Sequence, residues 1–310
     1  MENILFVIRV NQKLNPMGLE LFLSWQREYA VQLDYIVVSS EPLSTDLDHP
    51  PLEFIQSGIH SNLFESVHRS LKNYLHPYVF FMDDSFELNI NYLHALKAML
   101  LSSKQLASVR GVVQTMLQKT SLQENFAIFG KDLCEFYDIS FSRTQRFNMK
   151  GPNFVLANYL LGSLFRLNAI TNLLQEGFEP LPLKYFVGAD LGFILQNRDY
   201  NHYVLPNVHI KRKVNSKYQL FLDKIAKHLR FQDEVLLKSV YAQSWKQKTA
   251  LHLFKIQSIF QNPDLHLDLQ HSKKNLLNLQ KSVNFRHQCL NSLAQINSFE
   301  LDRHCLLLIE

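Results

Sequence analysis

The chain predicts an α/β domain with a mostly parallel central sheet, followed by a helical C-terminal extension. Three observations carry this. Ile4-Leu5-Phe6-Val7-Ile8, Tyr35-Ile36-Val37-Val38 and Tyr78-Val79-Phe80-Phe81-Met82 are short, unbroken apolar runs, the pattern of strands buried on both faces. A stretch of helical spacing lies between the first two runs, which gives a segment the size of a βαβ unit. After Ile210 the pattern turns helical to the end, with Pro263 as its only proline.

Between the first two runs, Gly18 to Val31 places Leu19, Leu21, Phe22, Trp25 and Tyr29 at helical spacing. Ser39 to Pro51 holds three prolines with several Ser and Asp residues, which predicts a loop. Ser61 to Leu75 predicts a helix. The third strand then stops at Asp83-Asp84-Ser85, and Asn91 to Leu101 predicts another helix. Alternation of this kind builds a parallel sheet. Further on, Val109 to Leu117 predicts a strand and Phe141 to Asn153 is polar and loop-like. Arg166 to Leu174 predicts a helix. Gly188-Ala189-Asp190 leads into a helical stretch, and Tyr203-Val204-Leu205-Pro206 predicts a strand.

Composition sets the limits. A length of 310 residues fits one large domain, residues 1–214, with an appended region, 215–310, since domains usually run to about 100–200 residues. Apolar residues make up 46%, enough for a sizeable core and too many for a disordered chain. The net charge of +4 does not by itself point to nucleic acid, and none is expected as a partner. Cys134, Cys289 and Cys305 form no CxxC unit, which argues against structural zinc and fits a reducing compartment. The N-terminus lacks the basic and apolar regions of a signal peptide, and no stretch approaches the ~18 apolar residues of a membrane span. A cytoplasmic chain is expected.

Asp83 and Asp84 lie at the carboxyl end of an apolar strand, where parallel α/β sheets bind their ligands. Two adjacent carboxylates repel each other and persist when solvated or neutralised. A nucleoside diphosphate is itself anionic, so a divalent metal is the bridge such a pair offers it. The other reading is a helix start: Asp84 or Ser85 suits the N-cap of the helix that follows.

Phe80-Phe81-Met82-Asp83-Asp84-Ser85 resembles the acidic strand-end motif of GT-A-fold glycosyltransferases, in particular inverting enzymes of family two, with Asp-Asp-Ser in place of the usual Asp-X-Asp. Gly162-Ser163-Leu164-Phe165-Arg166 with Ala169-Ile170 resembles the acceptor-side segment of that family, and Gly177-Phe178-Glu179 its Gly-Phe-Asp element. Gly188-Ala189-Asp190 resembles its Glu-Asp helix start, with Ala189 where the glutamate stands. Tyr200 to Pro206 resembles its Val-Pro strand, followed here by His209, Lys211 and Arg212.

The resemblance implies a Rossmann-like GT-A domain and an inverting transfer of a hexosyl or N-acetylhexosaminyl group. The donor is a nucleotide sugar, with a UDP-sugar as first choice, and the acceptor a glycan or lipid-linked hydroxyl in surface polysaccharide synthesis. It implies Asp190 as general base, Asp84 and His209 as ligands of Mn or Mg, and Asp83 near the ribose. Lys211 and Arg212 are an alternative means of neutralising the diphosphate. The second strand lacks the family's base-reading Asp residues, and Glu41 or Asp46 stands in. A non-catalytic GT-A-like glycan- or protein-binding chain is the second reading, on account of Ala189 and Ser85. A nucleotidyltransferase is the third, and the missing Gly-rich loop after the first strand ranks it last.

Lys211 to Lys248 carries ten basic residues against three acidic ones. Tyr218, Phe221, Leu222, Ile225 and Leu229 share a helical face there, which suits either an anionic membrane surface or packing on the catalytic domain. Asp264-Leu265-His266-Leu267-Asp268 alternates as a strand would. The leucine-rich stretch from Leu276 to Leu308 suits internal packing or homo-oligomer formation.

Overall fold

A computed structural model describes residues 3–10, 18–28, 33–42, 50–57, 62–115, 122–124, 127–129, 136–138, 153–155, 157–184, 186–212, 216–242, 245–261, 264–266, 268, 270 and 279–293. The three apolar runs form β1 (Ile4–Val10), β2 (Asp34–Ser39) and β4 (Tyr78–Asp83), with α1 (Gly18–Glu28) after β1 and β3 (Glu53–Gln56) after β2. Next come α2 (Leu63–Val67), a 3-10 turn (Ser70–Asn73), β5 (Phe86–Glu87), α3 (Ile90–Ser102) and β6 (Leu106–Thr115). Short strands β7 (Leu122–Glu124), β8 (Ala127–Phe129), β9 (Phe136–Asp138) and β10 (Asn153–Val155) precede β11 (Ser163–Arg166), α4 (Leu167–Gln175), α5 (Val187–Gln196) and β12 (Asn201–Arg212). The C-terminal region supplies α6 (Ser216–Tyr241), α7 (Trp245–Gln261) and α8 (Gln280–Leu293).

Among the described residues one ten-stranded sheet runs in the order β10-β12-β6-β11-β4-β1-β2-β3, with β5 beside β12 and β7 beside β6. The pairings of β1 with β2 and β4, of β2 with β3 and of β12 with β6 are parallel. β11 lies antiparallel between β4 and β6. The sheet is therefore mixed, and its β4-β1-β2-β3 half carries the expected parallel order.

Because side chains alternate along a strand, each apolar run feeds both faces. Leu5, Val7, Val79 and Phe81 enter a core shared with α2, α4 and α5. Ile4, Phe6, Ile8, Phe80 and Met82 enter a second core under α1 and α3. Each fully buried side chain of this size contributes about 1.5–3 kcal/mol of transfer free energy. The first core also takes Leu236, Leu237, Val240 and Tyr241 from the second half of α6, so the C-terminal region is built into the sheet's packing.

Several local expectations change. Ser61 to Leu75 is two short pieces rather than one helix: Asn62 caps α2 by accepting from the Glu65 amide at 2.9 Å, and after the 3-10 turn Tyr74 is extended. Pro77, with no amide hydrogen to offer a helix, stands just beyond. β12 runs on to Arg212 because His209 to Arg212 pair with β6, so the helical region begins later than Ile210. Leu265, His266 and Asp268 are helical, not strand. Asp268 accepts from Gln232 at 2.6 Å and pairs with His228 at 2.7 Å, which uses it to fasten α6. Side chains from Tyr218 to Ile225 lie outside the described set, as does Asp46.

Gly188 and Gly192 let α5 pack tightly. A Cβ on Gly188 would collide with the carbonyl oxygen of Asn158 and stand 2.6 Å from the amide nitrogen of Leu160. Gly188→Ala is expected to cost about 1–3 kcal/mol through overpacking against backbone, read as a lower urea midpoint with unchanged slope.

Candidate functional site

Two groups of polar residues stand out: one at the carboxyl edge of the sheet, the other on α5. At the edge, Asp83 closes β4 opposite Arg9 of β1, and the Asp84 amide donates to the Arg9 carbonyl at 2.9 Å. Both acids are buried, at 5% and 6% exposure. The chain then turns into β5, whose Phe86 and Glu87 pair with Arg212 and Lys211 of β12. That pairing rules out Asp84 or Ser85 as the cap of α3. The cap is Asn89, which accepts from the Asn91 amide at 2.8 Å.

Bringing β12 beside β5 delivers Arg212 to Asp83. The Asp83 Oδ1 accepts from the Ser85 amide at 3.0 Å and from the Ser85 hydroxyl. Its Oδ2 accepts from Arg212 Nη2, while Arg212 Nε donates to Ser85 Oγ at 2.8 Å. The guanidinium lies 5.6 Å from the Phe86 ring centroid. Asp83, Ser85 and Arg212 thus form a closed, buried ring in which the carboxylate is charge-compensated, as a buried ion requires.

Strand alternation sends the neighbours of Arg212 elsewhere. Arg212 and Ile210 are buried, whereas His209 and Lys211 are exposed on the opposite side. His209 and Lys211 line a cleft of about 580 Å³ with Phe22, Trp25, Glu87 and Gln114, and Gln114 Nε2 donates to His209 Nδ1 at 3.2 Å. Asp83 and Arg212 are brought together; His209 and Lys211 face away from them. Glu41 follows β2 at the same sheet edge, its amide donating to Ser39 Oγ at 3.2 Å. Among the described residues no group of three or more His, Cys, Asp or Glu is placed to hold a metal ion.

The second group is centred on Asp190. It lies in the first turn of α5, not at its cap, which is Phe186. Asp190 has 2% exposure, and both oxygens of its carboxylate are bonded from the C-terminal helices. Oδ1 accepts from Tyr241 of α6 at 2.6 Å and from Arg286 Nε of α8 at 2.8 Å. Oδ2 accepts from Arg286 Nη2 at 2.5 Å. Arg286 also donates to the carbonyls of Ser282 at 2.9 Å and Glu179 at 3.0 Å, and stacks 4.9 Å from the Phe178 centroid. Burial works against its charge, but the Asp190 carboxylate outweighs this and raises its pKa. α6 holds the same helix at its start, where Asp233 Oδ2 accepts from the amides of Lys184 at 2.7 Å and Phe186 at 3.1 Å. No side chain of α5 caps it, so a carboxylate from another helix satisfies amides at its positive end.

Arg166, in the acceptor-like segment, is spent on structure. It donates to the carbonyls of Leu100, Ser103 and Leu106 at 2.7, 3.0 and 3.0 Å, which ties the end of α3 to β11. Gly162 takes a positive φ of 80°, open to glycine at little cost, and its carbonyl accepts from Tyr92 at 2.6 Å. Burial pushes the Tyr92 hydroxyl up to about 12.

Sequence reasoning missed Tyr241, Asp233 and Arg286. They lie 47 to 96 residues from the α5 groups they bind, and none belongs to a motif. It also missed His202, which is wholly buried. Its Nε2 donates to the Gly192 carbonyl at 2.9 Å, and its Nδ1 accepts from Ser108 at 2.7 Å; the hydrogen-bond network assigns this tautomer. Burial drives its pKa down to about 4. A histidine held neutral by the fold stabilises fully above its unfolded pKa, near 6.5, and loses that contribution as pH falls towards 4. Stability is expected to drop by about 2–3 kcal/mol over that interval. Urea midpoints measured across it check this, and His202→Gln is expected to flatten most of the slope.

No family model matches the chain, and no curated protein matches it. The fold is that of the GT-A glycosyltransferases. A crystal structure of GalNAc-T7 with UDP, GalNAc and Mn2+ superposes with a TM-score of 0.52 at 9% identity, covering 79% of this chain and 50% of that one. Staphylococcus aureus TarS gives 0.43 at 11% identity, covering 83% and 43%. The mannosyltransferase PcManGT from Pyrobaculum calidifontis, in complex with GDP-Man and Mn2+, gives 0.45 at 12% identity, covering 98% and 84%. The chain spans half or less of the GalNAc-T7 and TarS chains.

Proposed function

We propose that this chain is a glycosyltransferase that moves a hexosyl or N-acetylhexosaminyl group from a nucleotide sugar, a UDP-sugar first, to a glycan or lipid-linked hydroxyl, with inversion, in surface polysaccharide synthesis. One observation carries the reading: the acidic turn Asp83-Asp84-Ser85 follows the carboxyl end of β4, the edge of the sheet at which open α/β folds bind ligands, within a GT-A fold. Glu41 lies on the same edge, and that position supports a contact to the base or ribose.

In an inverting transfer a base takes the acceptor hydroxyl's proton, the oxygen attacks the anomeric carbon, and the nucleoside diphosphate leaves. Asp190 is the proposed base. Of the bonds described, its Oδ2 accepts only one, from Arg286, and a carboxylate oxygen has room for two. A divalent metal, were one bound, would stabilise charge on the leaving diphosphate. Asp84 is the proposed ligand, with donor phosphates and water completing the set; Asp83 is already paired with Arg212 and His209 faces the far side of β12, so neither joins it.

A non-catalytic GT-A-like binding protein is the second reading, and the buried, ion-paired state of Asp190 favours it. Thermal-shift titration with nucleotide sugars discriminates: stabilisation and release of nucleoside diphosphate support the transferase, while indifference to every nucleotide supports the binding protein. The basic Lys211 to Lys248 segment supports a place at the inner face of an anionic membrane. Among the described residues no helix is long and apolar enough to cross one.

A further inference from the structure

The helix α7 is apolar on two opposite sides. Its inner side packs on α6: Leu251 is buried, and the Phe254 ring centroid lies 5.9 Å from that of Phe231 and 4.0 Å from Lys238 Nζ. Lys255 Nζ donates to Ser239 Oγ at 3.4 Å on the same side. The other side carries Leu253, Ile256 and Phe260, which are 60%, 42% and 85% exposed. We infer that this outer stripe is a docking surface for an anionic phospholipid bilayer. The inference rests on the membrane reading above and names the surface that makes the contact.

Spacing makes the stripe a surface. Residues three and seven apart share one face of a helix, so Leu253, Ile256 and Phe260 form a continuous ridge. The ridge stands about half a turn away from Leu251 and Phe254, the side that α6 already covers. A helix on the outside of a protein needs one apolar face for docking and turns polar residues outward. A second apolar face, left in water, marks an interaction surface. Exposed leucines standing singly in sequence, such as Leu75 and Leu101, need no such explanation.

Charge selects the partner. Trp245 to Gln261 holds Lys246, Lys248 and Lys255 and no acidic residue. Lys248 and His252 are exposed, and they stand in the i, i+4 row that leads to Ile256. On the stretch of α6 that packs against α7 the acids are spent. Asp233 accepts from the amides of Lys184 and Phe186, and Glu234 pairs with Lys238 at 2.8 Å. Asp264, exposed just past the helix, is the acid nearest to it in sequence. Two copies meeting on this ridge would gather lysines with no acid on either helix to answer them, and like charges so placed oppose association. An anionic bilayer answers the lysines with its headgroups and the ridge with its acyl chains. Interfacial helices combine these two terms, the apolar face sinking into the headgroup–acyl boundary while basic residues stay among the headgroups.

Co-sedimentation of the 310-residue chain with vesicles tests this. Vesicles of equal parts phosphatidylglycerol and phosphatidylcholine are compared with vesicles of phosphatidylcholine alone. Binding to the anionic vesicles is expected to be at least about tenfold stronger than to the neutral ones and to weaken with salt. A triple variant, Leu253→Gln with Ile256→Gln and Phe260→Gln, changes exposed sites to a good helix former. It is expected to lose at least about tenfold of the anionic binding with its urea midpoint unchanged. Unchanged binding by this variant overturns the inference and leaves the membrane reading to the basic segment alone. No binding of wild type to either vesicle overturns both. Light scattering without lipid is expected to give wild type and variant the same mass. A wild-type dimer that the variant abolishes assigns the ridge to a second copy and overturns the inference. Should the triple variant fail to fold, Phe260→Trp decides. Its added fluorescence is expected to be quenched by anionic vesicles brominated on the acyl chains, and quenching no greater than that of wild type overturns the proposal. None of these outcomes depends on donor turnover, so the transferase reading stands or falls separately.

Discussion

Arg286→Ala is expected to lower the unfolding free energy by about 3–5 kcal/mol, because it leaves the buried Asp190 carboxylate without its counter-ion. Arg286 has no exposed surface and Asp190 almost none, so water cannot replace the lost bonds. The substitution also removes the donors to Ser282 and Glu179 and the packing on Phe178. Paired replacement separates the charge effect from the packing effect. In a double-mutant cycle with Asp190→Ala, two contacting residues should show a coupling that independent sites lack. Single and double variants measured by urea denaturation check this. Near-additive costs would mean that α8 is held by packing alone.

Asp190→Asn has the second large expected effect, a loss of about 10²–10⁴-fold in transfer rate if Asp190 is the base. The same change disturbs the pair with Arg286, so rate loss by itself is ambiguous. Tyr241→Phe supplies the control. It removes one hydrogen bond to the carboxylate and keeps the carboxylate itself. Both variants are assayed well below their own unfolding midpoints. The base role predicts a severe loss in Asp190→Asn and a modest one in Tyr241→Phe. Equal losses in the two would place Asp190 among the residues that merely secure α5.

Three strands of the parallel half were legible because burial on both faces leaves a local mark; β3, Glu53–Gln56, has no such burial and was not. Ile4 to Ile8, Tyr35 to Val38 and Tyr78 to Met82 have no polar residue at any position, and no amphipathic helix reads that way. The antiparallel placement of β11 between β4 and β6 was not legible, since Ser163 to Arg166 is four residues long and its neighbours are chosen by tertiary packing. The end of β12 was read too short for a similar reason. Lys211 and Arg212 fall where the pattern turns helical, yet their backbone is claimed by β6 and β5.

The candidate site divides the same way. Asp83, Asp84 and Asp190 stood out because each sits at a local sequence boundary. What holds them did not. Arg212 reads as part of a basic turn with Lys211, and only strand alternation shows that one is buried on Asp83 while the other faces a cleft. Arg286 and Tyr241 lie in an ordinary helical stretch, and a buried ion pair across such a separation leaves no local pattern. The helices past residue 215 therefore matter to the site more directly than their composition suggests. They cap the start of α5 through Asp233 and engage Asp190 itself.

Turnover of a nucleotide sugar tests the central claim most directly. The 310-residue chain is incubated with a panel of UDP- and GDP-sugars, and release of the nucleoside diphosphate is followed with and without candidate glycan acceptors. The account predicts release from at least one donor, faster with acceptor present and strongly reduced in Asp190→Asn. A folded protein that neither binds nor turns over any member of the panel would contradict it.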